Sequence, residues 1–156
     1  MSRKEEHMDR TDYKILEILQ HEGRISMKDL GKQVGLTAPA VSERVKKLEE
    51  SDIIKGYKAV VNAAKLNKNI CAFIDIAMAA DKYNSFLKYA RAKNEIIECH
   101  HVTGGDCMTI KVLVENMLEL EHLIDEIKKM GNTQTSLILS SPIEAKPITV
   151  DIPDHL

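Results

Sequence analysis

The chain has 156 residues, 44% of them apolar, and 22 Lys and Arg stand against 24 Asp and Glu for a formal net charge of −2. That length holds one ordinary domain or two small ones, and that apolar share supplies a core, which excludes a disordered chain. Three Cys without CxxC spacing argue against a disulfide framework and fit a reducing cytoplasm, and no apolar run reaches the ~18–20 residues of a membrane span. The charged stretch Met1–Asp12 lacks the apolar core of a secretory signal. At whole-chain scale, the balanced charge gives no basic footprint for nucleic acid.

Residues 1–61 carry helical periodicity alone. Asp9 is placed to cap a first helix in which Ile15, Leu16 and Leu19 share a face, and Gly23 stands where it should stop. Ser26 caps a second helix, with Asp29 in a capping-box position and Leu30 and Val34 on the inner side. Gly31 beside them leaves room for another helix to approach. Gly35 ends this helix and Thr37 caps a third. Pro39 falls in the first turn of the third helix, where a missing N–H costs nothing. Val41, Val45 and Leu48 form its inner stripe. Beyond Ser51-Asp52, the run Tyr57–Val61 is strand-like.

Two helices joined by a short Gly-containing turn form a helix-turn-helix pattern. The outer face of the third helix gives that pattern a chemistry. Thr37 stands at its start, and Ser42, Glu43, Lys46 and Lys47 point away from the stripe, with Arg44 at the flank. Lys and Arg neutralise phosphates, Ser bonds phosphate or base, and Glu accepts from a cytosine amino group. These six are the candidate DNA contacts, Arg44 serving for phosphate or as a structural brace. A solvated surface helix shows a similar charged face, so the pattern alone does not decide.

Residues 62–69 read as a polar linker and 70–156 as a second domain. Ile70–Met78 is a strand with Ile74, Ile76 and Met78 on one face and Phe73, Asp75 and Ala77 on the other. Asp81 is placed to cap a helix carrying Tyr83, Phe86, Leu87 and Ala90. Ile96–Thr103 and Cys107–Val114 are strands joined by the turn Gly104-Gly105-Asp106. Asn116 starts a second helix with Met117, Leu120, Ile124 and Ile127 on one face, closed by Gly131. Thr135–Ser141 is a fourth strand, and Ile148–Ile152, flanked by prolines, a short edge strand. The order is the α+β, ferredoxin-like βαββαβ. Its helices cover one sheet face, and Phe73, Leu137 and Leu139 are expected on the other. Covering that face with a second copy predicts a homodimer.

The N-terminal run from Met8 to Tyr57 and the segment Val102–Val112 resemble the Lrp/AsnC family of transcription regulators. The residues that carry the resemblance are Gly23-Arg24-Ile25-Ser26, Gly35-Leu36-Thr37 and Glu43-Arg44-Val45-x-x-Leu48-Glu49. The resemblance implies a winged helix-turn-helix domain, with the motif at about residues 27–46. It also implies a C-terminal domain for effector binding and oligomerisation. The expected partners are double-stranded DNA, further copies in dimers and octamers, and an amino-acid effector at Gly104, Gly105, Asp106 and Cys107. No cofactor, metal or membrane is implied, and the protein is expected in the cytoplasm, on the nucleoid.

Three departures stand out. The family commonly has Gly where Asp52 stands, and Leu-Gly where Leu66-Asn67 stands. The family Asp that takes an effector's ammonium falls on Cys107, with Asp106 one residue early, and a one-residue shift in a strand reverses the face. Cys99, His100, His101 and Cys107 could suggest a metal, but alternation splits them across two faces. No catalytic triad, phosphate loop or paired-carboxylate site stands out, so an enzyme on this scaffold is disfavoured. Two other readings stay open. One is a metabolite sensor whose N-terminal helices serve assembly. The other is an architectural DNA-binding protein that needs no effector.

Overall fold

The computed structural model describes residues 8–104 and 107–149. Apolar side chains sort them into two separately packed units, residues 8–60 with 143–149, and residues 61–142.

The first unit is built on α1 (Arg10–His21), α2 (Met27–Val34) and α3 (Ala38–Glu50). Each starts on the expected cap. The Asp9 carboxylate accepts from the Thr11 and Asp12 N–H groups, and Asp12 reciprocates on the Asp9 N–H, a complete capping box. Ser26 Oγ accepts from the Asp29 N–H, and Gly35 ends α2 in the left-handed conformation, φ 73°. Ile15, Leu19, Leu30, Val41, Val45 and Leu48 are buried together with Ile25. Gly31 is needed for a reason other than helix approach. A Cβ there would stand 2.6 Å from the Leu36 carbonyl oxygen, so the α2–α3 turn itself closes on this position.

The second unit contains β1 (Ile70–Ala77), α4 (Tyr83–Ala92), β2 (Ile96–His101), β3 (Met108–Val114), α5 (Met117–Lys128) and β4 (Asn132–Leu137). The strand order is β2-β3-β1-β4 with every neighbouring pair antiparallel, the split βαβ arrangement expected from the sequence. The register sets Ile74 opposite Ile110 and Ile76 opposite Met108. These residues pack with Phe86 of α4 and with Leu120, Leu123 and Ile127 of α5, so both helices lie on one face. Phe73, Asp75, Thr109 and Lys111 alternate onto the other face.

Several expectations are corrected. Among the described residues Tyr57–Val61 is not a strand, because no second strand within the unit offers hydrogen bonds to it. The stretch Ala63–Leu66 within the linker is a short 3-10 turn. Asp81 makes no cap: it lies in the 3-10 turn Ala80–Lys82, and α4 starts without a side-chain cap. Strand β2 ends at His101 and β3 starts at Met108. Strand β4 begins at Asn132 and ends at Leu137, so Leu139 lies beyond it, fully exposed. Leu137 pairs with Ala72, which puts it on the helix side of the sheet rather than beside Phe73. Leu123 takes the buried place expected of Met117, which is exposed. Gly131 does not close α5 as a left-handed cap. It is kept small by β1, since a Cβ would stand 2.5 Å from the Ala77 carbonyl oxygen. Ile148 and Thr149 form no strand, and Ile152 lies outside the described residues. The stretch 143–149 groups with the helical unit, where the Gln20 side-chain amide donates to the Ile148 carbonyl (3.1 Å) and accepts from its N–H (2.7 Å).

Candidate nucleic-acid interface and effector rim

With Val41, Val45 and Leu48 buried, the geometry of α3 turns Ser42, Glu43, Lys46 and Lys47 to solvent. Lys46 lies 3.6 Å from Glu50 in an exposed i, i+4 pair, which holds it weakly. Lys47 has no carboxylate within salt-bridge distance among the described residues. Thr37 is exposed at the helix start, where its Oγ1 accepts from the Ala40 N–H at 3.4 Å.

Arg44 differs from its neighbours. Its Nη1 donates to Asp9 Oδ2 at 2.7 Å and to Asp12 Oδ1 at 2.8 Å. Both acceptors belong to the capping box of α1, so the guanidinium joins α3 to the start of α1. Burial would raise the Asp9 pKa, but hydrogen bonds from the Asp12 N–H and from Arg44 outweigh it and hold the carboxyl below its ordinary 3.8. The Asp12 and Asp9 hydrogen bonds in turn push Arg44 further up. Of the two roles open to Arg44 on sequence grounds, this geometry serves bracing.

Arg24 and Tyr57 drew no assignment from the sequence because both lie outside helical periodicity. In the structure they line one groove together with Lys55 and Lys58. The Tyr57 hydroxyl donates to Glu49 Oε1 of α3 at 3.0 Å.

In the second unit the turn after β2 is described at Gly104, whose φ of 134° suits glycine, and at Cys107. Gly105 and Asp106 lie outside the described residues. The Cys107 Sγ is directed at the Ile76 and Met78 carbonyls, 3.5 and 3.8 Å away, and its N–H donates to Ile76 at 3.1 Å. A thiol so placed satisfies the end of β1 and is turned to backbone carbonyls, where an Asp would offer a carboxylate to an ammonium group. Beside the turn, the His101 ring meets Tyr83 with centroids 5.3 Å apart. Cys99 pairs with Ile110 and His100 with Thr109, so they face opposite sides, and no metal-binding cluster occurs among the described residues. On the open face, Thr109 donates to Asp75 at 2.5 Å. Glu98 meets Lys111 and His100 at 3.3 Å each. Burial would raise the Glu98 pKa, but these two partners hold it below its usual range.

Residues 8–55 match the family model for winged helix-turn-helix DNA-binding domains, and residues 71–148 match the Lrp/AsnC ligand binding domain. The chain is 37% identical to the HTH-type transcriptional regulator LrpB of Bacillus subtilis over 83% of its length and 87% of the relative's. It superposes on the structure of B. subtilis LrpC with a TM-score of 0.84 at 30% identity, covering 90% of this chain and 99% of that one. The transcriptional regulator NMB0573 of Neisseria meningitidis, solved as an L-Met complex, gives a TM-score of 0.86 at 25% identity, covering 92% and 97%. Among the described residues, no helix is long and apolar enough to cross a membrane.

Proposed function

Because the chain belongs to the Lrp/AsnC family of transcriptional regulators, we propose that it reads DNA with Ser42, Glu43, Lys46 and Lys47, set in the major groove by α3. It is a DNA-binding regulator and not an enzyme. The observation that carries the assignment is the split of α3 into a buried stripe and an outer face whose cations Lys46 and Lys47 are weakly held or, among the described residues, unpaired. Arg44 belongs to the positioning machinery, and Thr37 to the helix cap. Two copies would place their α3 helices on half-sites one helical turn, ~34 Å, or a multiple of it apart.

The open face of the sheet supports pairing of two copies. Phe73 is 38% exposed at its centre, flanked by Cys71 and by the polar set around Glu98. Assembly beyond the dimer, up to an octamer, and a cytoplasmic, nucleoid-associated setting extend this reading. An amino acid held near Gly104 to Cys107 is the effector we propose; in support, the related Neisseria regulator was solved as an L-Met complex. Here the ammonium partner has to be a group other than Cys107.

The test is binding of the full chain to a duplex that it selects from a random-sequence pool. Lys46→Glu with Lys47→Glu should weaken binding to all duplexes and flatten the slope of log K against log salt by ~0.9 for every phosphate that is no longer neutralised. A double variant with wild-type affinity and slope would remove α3 from the interface. A size measurement, and thermal shifts with each amino acid, check assembly and effector.

A further inference from the structure

The groove that holds Tyr57 has an unusual charge. Its floor is apolar, with Leu16, Leu19 and Ile54, and its rim carries Arg24, Lys55 and Lys58. Among the described residues, none that lines it is acidic, although the chain has 24 Asp and Glu. Among the described residues, none of the three cations has a carboxylate within salt-bridge distance. They come from two places in the chain. Arg24 lies in the α1–α2 turn, and the two lysines follow α3.

Tyr57 ties these places together. Its ring lies over Gly23, where an added Cβ would stand 3.6 Å from Cδ1, and its hydroxyl donates to Glu49 on α3. Burial and the Glu49 bond push the phenol up to about 12, so it stays a donor at every working pH. The segment is also fastened before Tyr57, because the Ile53 and Ile54 N–H groups both donate to the Leu48 carbonyl (3.0 and 2.9 Å). Lys55 and Lys58, on either side of the pinned ring, are therefore held beside Arg24 without a regular strand.

We propose that Arg24, Lys55 and Lys58 form a second phosphate-binding surface for the DNA backbone flanking the site read by α3, with Tyr57 as its positioning residue. This rests on the DNA-reading assignment above and deepens it. A phosphodiester suits the surface because it supplies repeated single negative charges to cations spaced along a groove, and such contacts fix register without reading sequence.

The experiment measures binding of the full chain to a labelled duplex across a salt series. Arg24→Gln with Lys55→Gln and Lys58→Gln should flatten the salt slope by ~0.9 for each phosphate left without its cation, up to ~2.7 in total. The melting temperature should stay that of the wild type, because all three side chains are exposed. Tyr57→Phe, which keeps the ring and removes only the donor, should flatten the slope by a smaller amount with an unchanged melt. A triple variant with the wild-type slope overturns the proposal, and so does a groove that binds an acidic peptide but leaves the slope untouched. A Tyr57→Phe variant with the wild-type slope overturns the positioning role. If Lys46→Glu with Lys47→Glu loses binding while the triple variant does not, the second surface falls and the α3 assignment stands. A wild-type chain that binds no duplex at low salt sinks both.

Discussion

Among the described residues the helical unit buries seven apolar residues in its core and the sheet unit twelve, and their polar supports differ accordingly. The sheet unit has a wide apolar layer between four strands and two helices, and its ion pairs lie outside that layer, Glu98–Lys111 on the open face of the sheet and Lys93–Glu126 on the helices. The helical unit has less to bury, and small cores are the harder ones to stabilise. It compensates with directional contacts: a complete capping box on Asp9, caps at Ser26 and Thr37, and the Arg44 bridge into that box. A surface that must present side chains to DNA thus gets its rigidity from hydrogen bonds at helix ends.

The contrast predicts where each unit is most fragile. Phe86→Ala in the sheet unit removes a fully buried ring from between helix and sheet and should cost ~3–5 kcal/mol in denaturant unfolding. A loss under ~1 kcal/mol would mean that this core collapses onto the gap and is not the tightly packed layer described. In the helical unit a smaller change should suffice. Gly31→Ala adds one methyl, but it strikes backbone at 2.6 Å and should cost ~1–3 kcal/mol. The same variant should weaken DNA binding, because the strained turn sets the entry angle of α3. A variant that melts normally and binds normally would show that the turn has room to move.

Arg44→Ala should cost less, ~1–2 kcal/mol, since the guanidinium and Asp9 are partly exposed and water screens them while Asp12 is more sheltered. Its sharper signature is in pH. The folded Asp9 pKa lies below the ordinary 3.8, so the bridge stabilises fully above that value. The contribution is lost as pH falls through the lower folded pKa. Arg44→Ala should therefore reduce the acid sensitivity of unfolding below pH 3.8, besides lowering stability at neutral pH. Equal acid sensitivity in both proteins would mean that the bridge does not hold α3. Arg44→Lys is a useful companion, because one ammonium cannot reproduce the shared guanidinium geometry.

The two units are also unequally legible in the sequence. In the helical unit the caps, the inner stripe of α3 and the stop at Gly35 are local features, and each follows from a few neighbouring residues. In the sheet unit the alternation of β3 and the strand order follow from pattern as well. What pattern misses there depends on partners distant in sequence. Leu137 lies on the face opposite to the expected one, because register with Ala72 cannot be read from β4 alone. Tyr57–Val61 has strand composition but, among the described residues, no partner within the unit, and composition cannot supply one. The candidate site divides in the same way. The outward residues of α3 follow from periodicity, whereas the role of Arg44 needs Asp9 and Asp12, more than thirty residues away. Arg24 and Tyr57 meet only through the folded groove.

The smallest expected effect sets one substitution in each unit. Asp52 and Asn67, where the family resemblance leads to an expectation of glycine, both hold the left-handed conformation, with φ of 61° and 59°. Glycine at either place relieves that backbone cost but gains freedom in the unfolded chain, so the two terms partly cancel. Asn tolerates this conformation well and is itself a usual helix terminator, so Asn67→Gly should be nearly neutral, within ~0.5 kcal/mol. Asp52 carries a further penalty, because its carboxylate stands just past the C-terminus of α3, where the helix dipole disfavours negative charge. Asp52→Gly should therefore stabilise the helical unit by ~0.5–1 kcal/mol. Asp52→Asn should recover the charge part alone. If both glycine variants gain equally, the backbone cost dominates and the dipole argument fails. If Asp52→Asn matches Asp52→Gly, charge dominates, and the aspartate weakens the end of the very helix that carries Lys46 and Lys47.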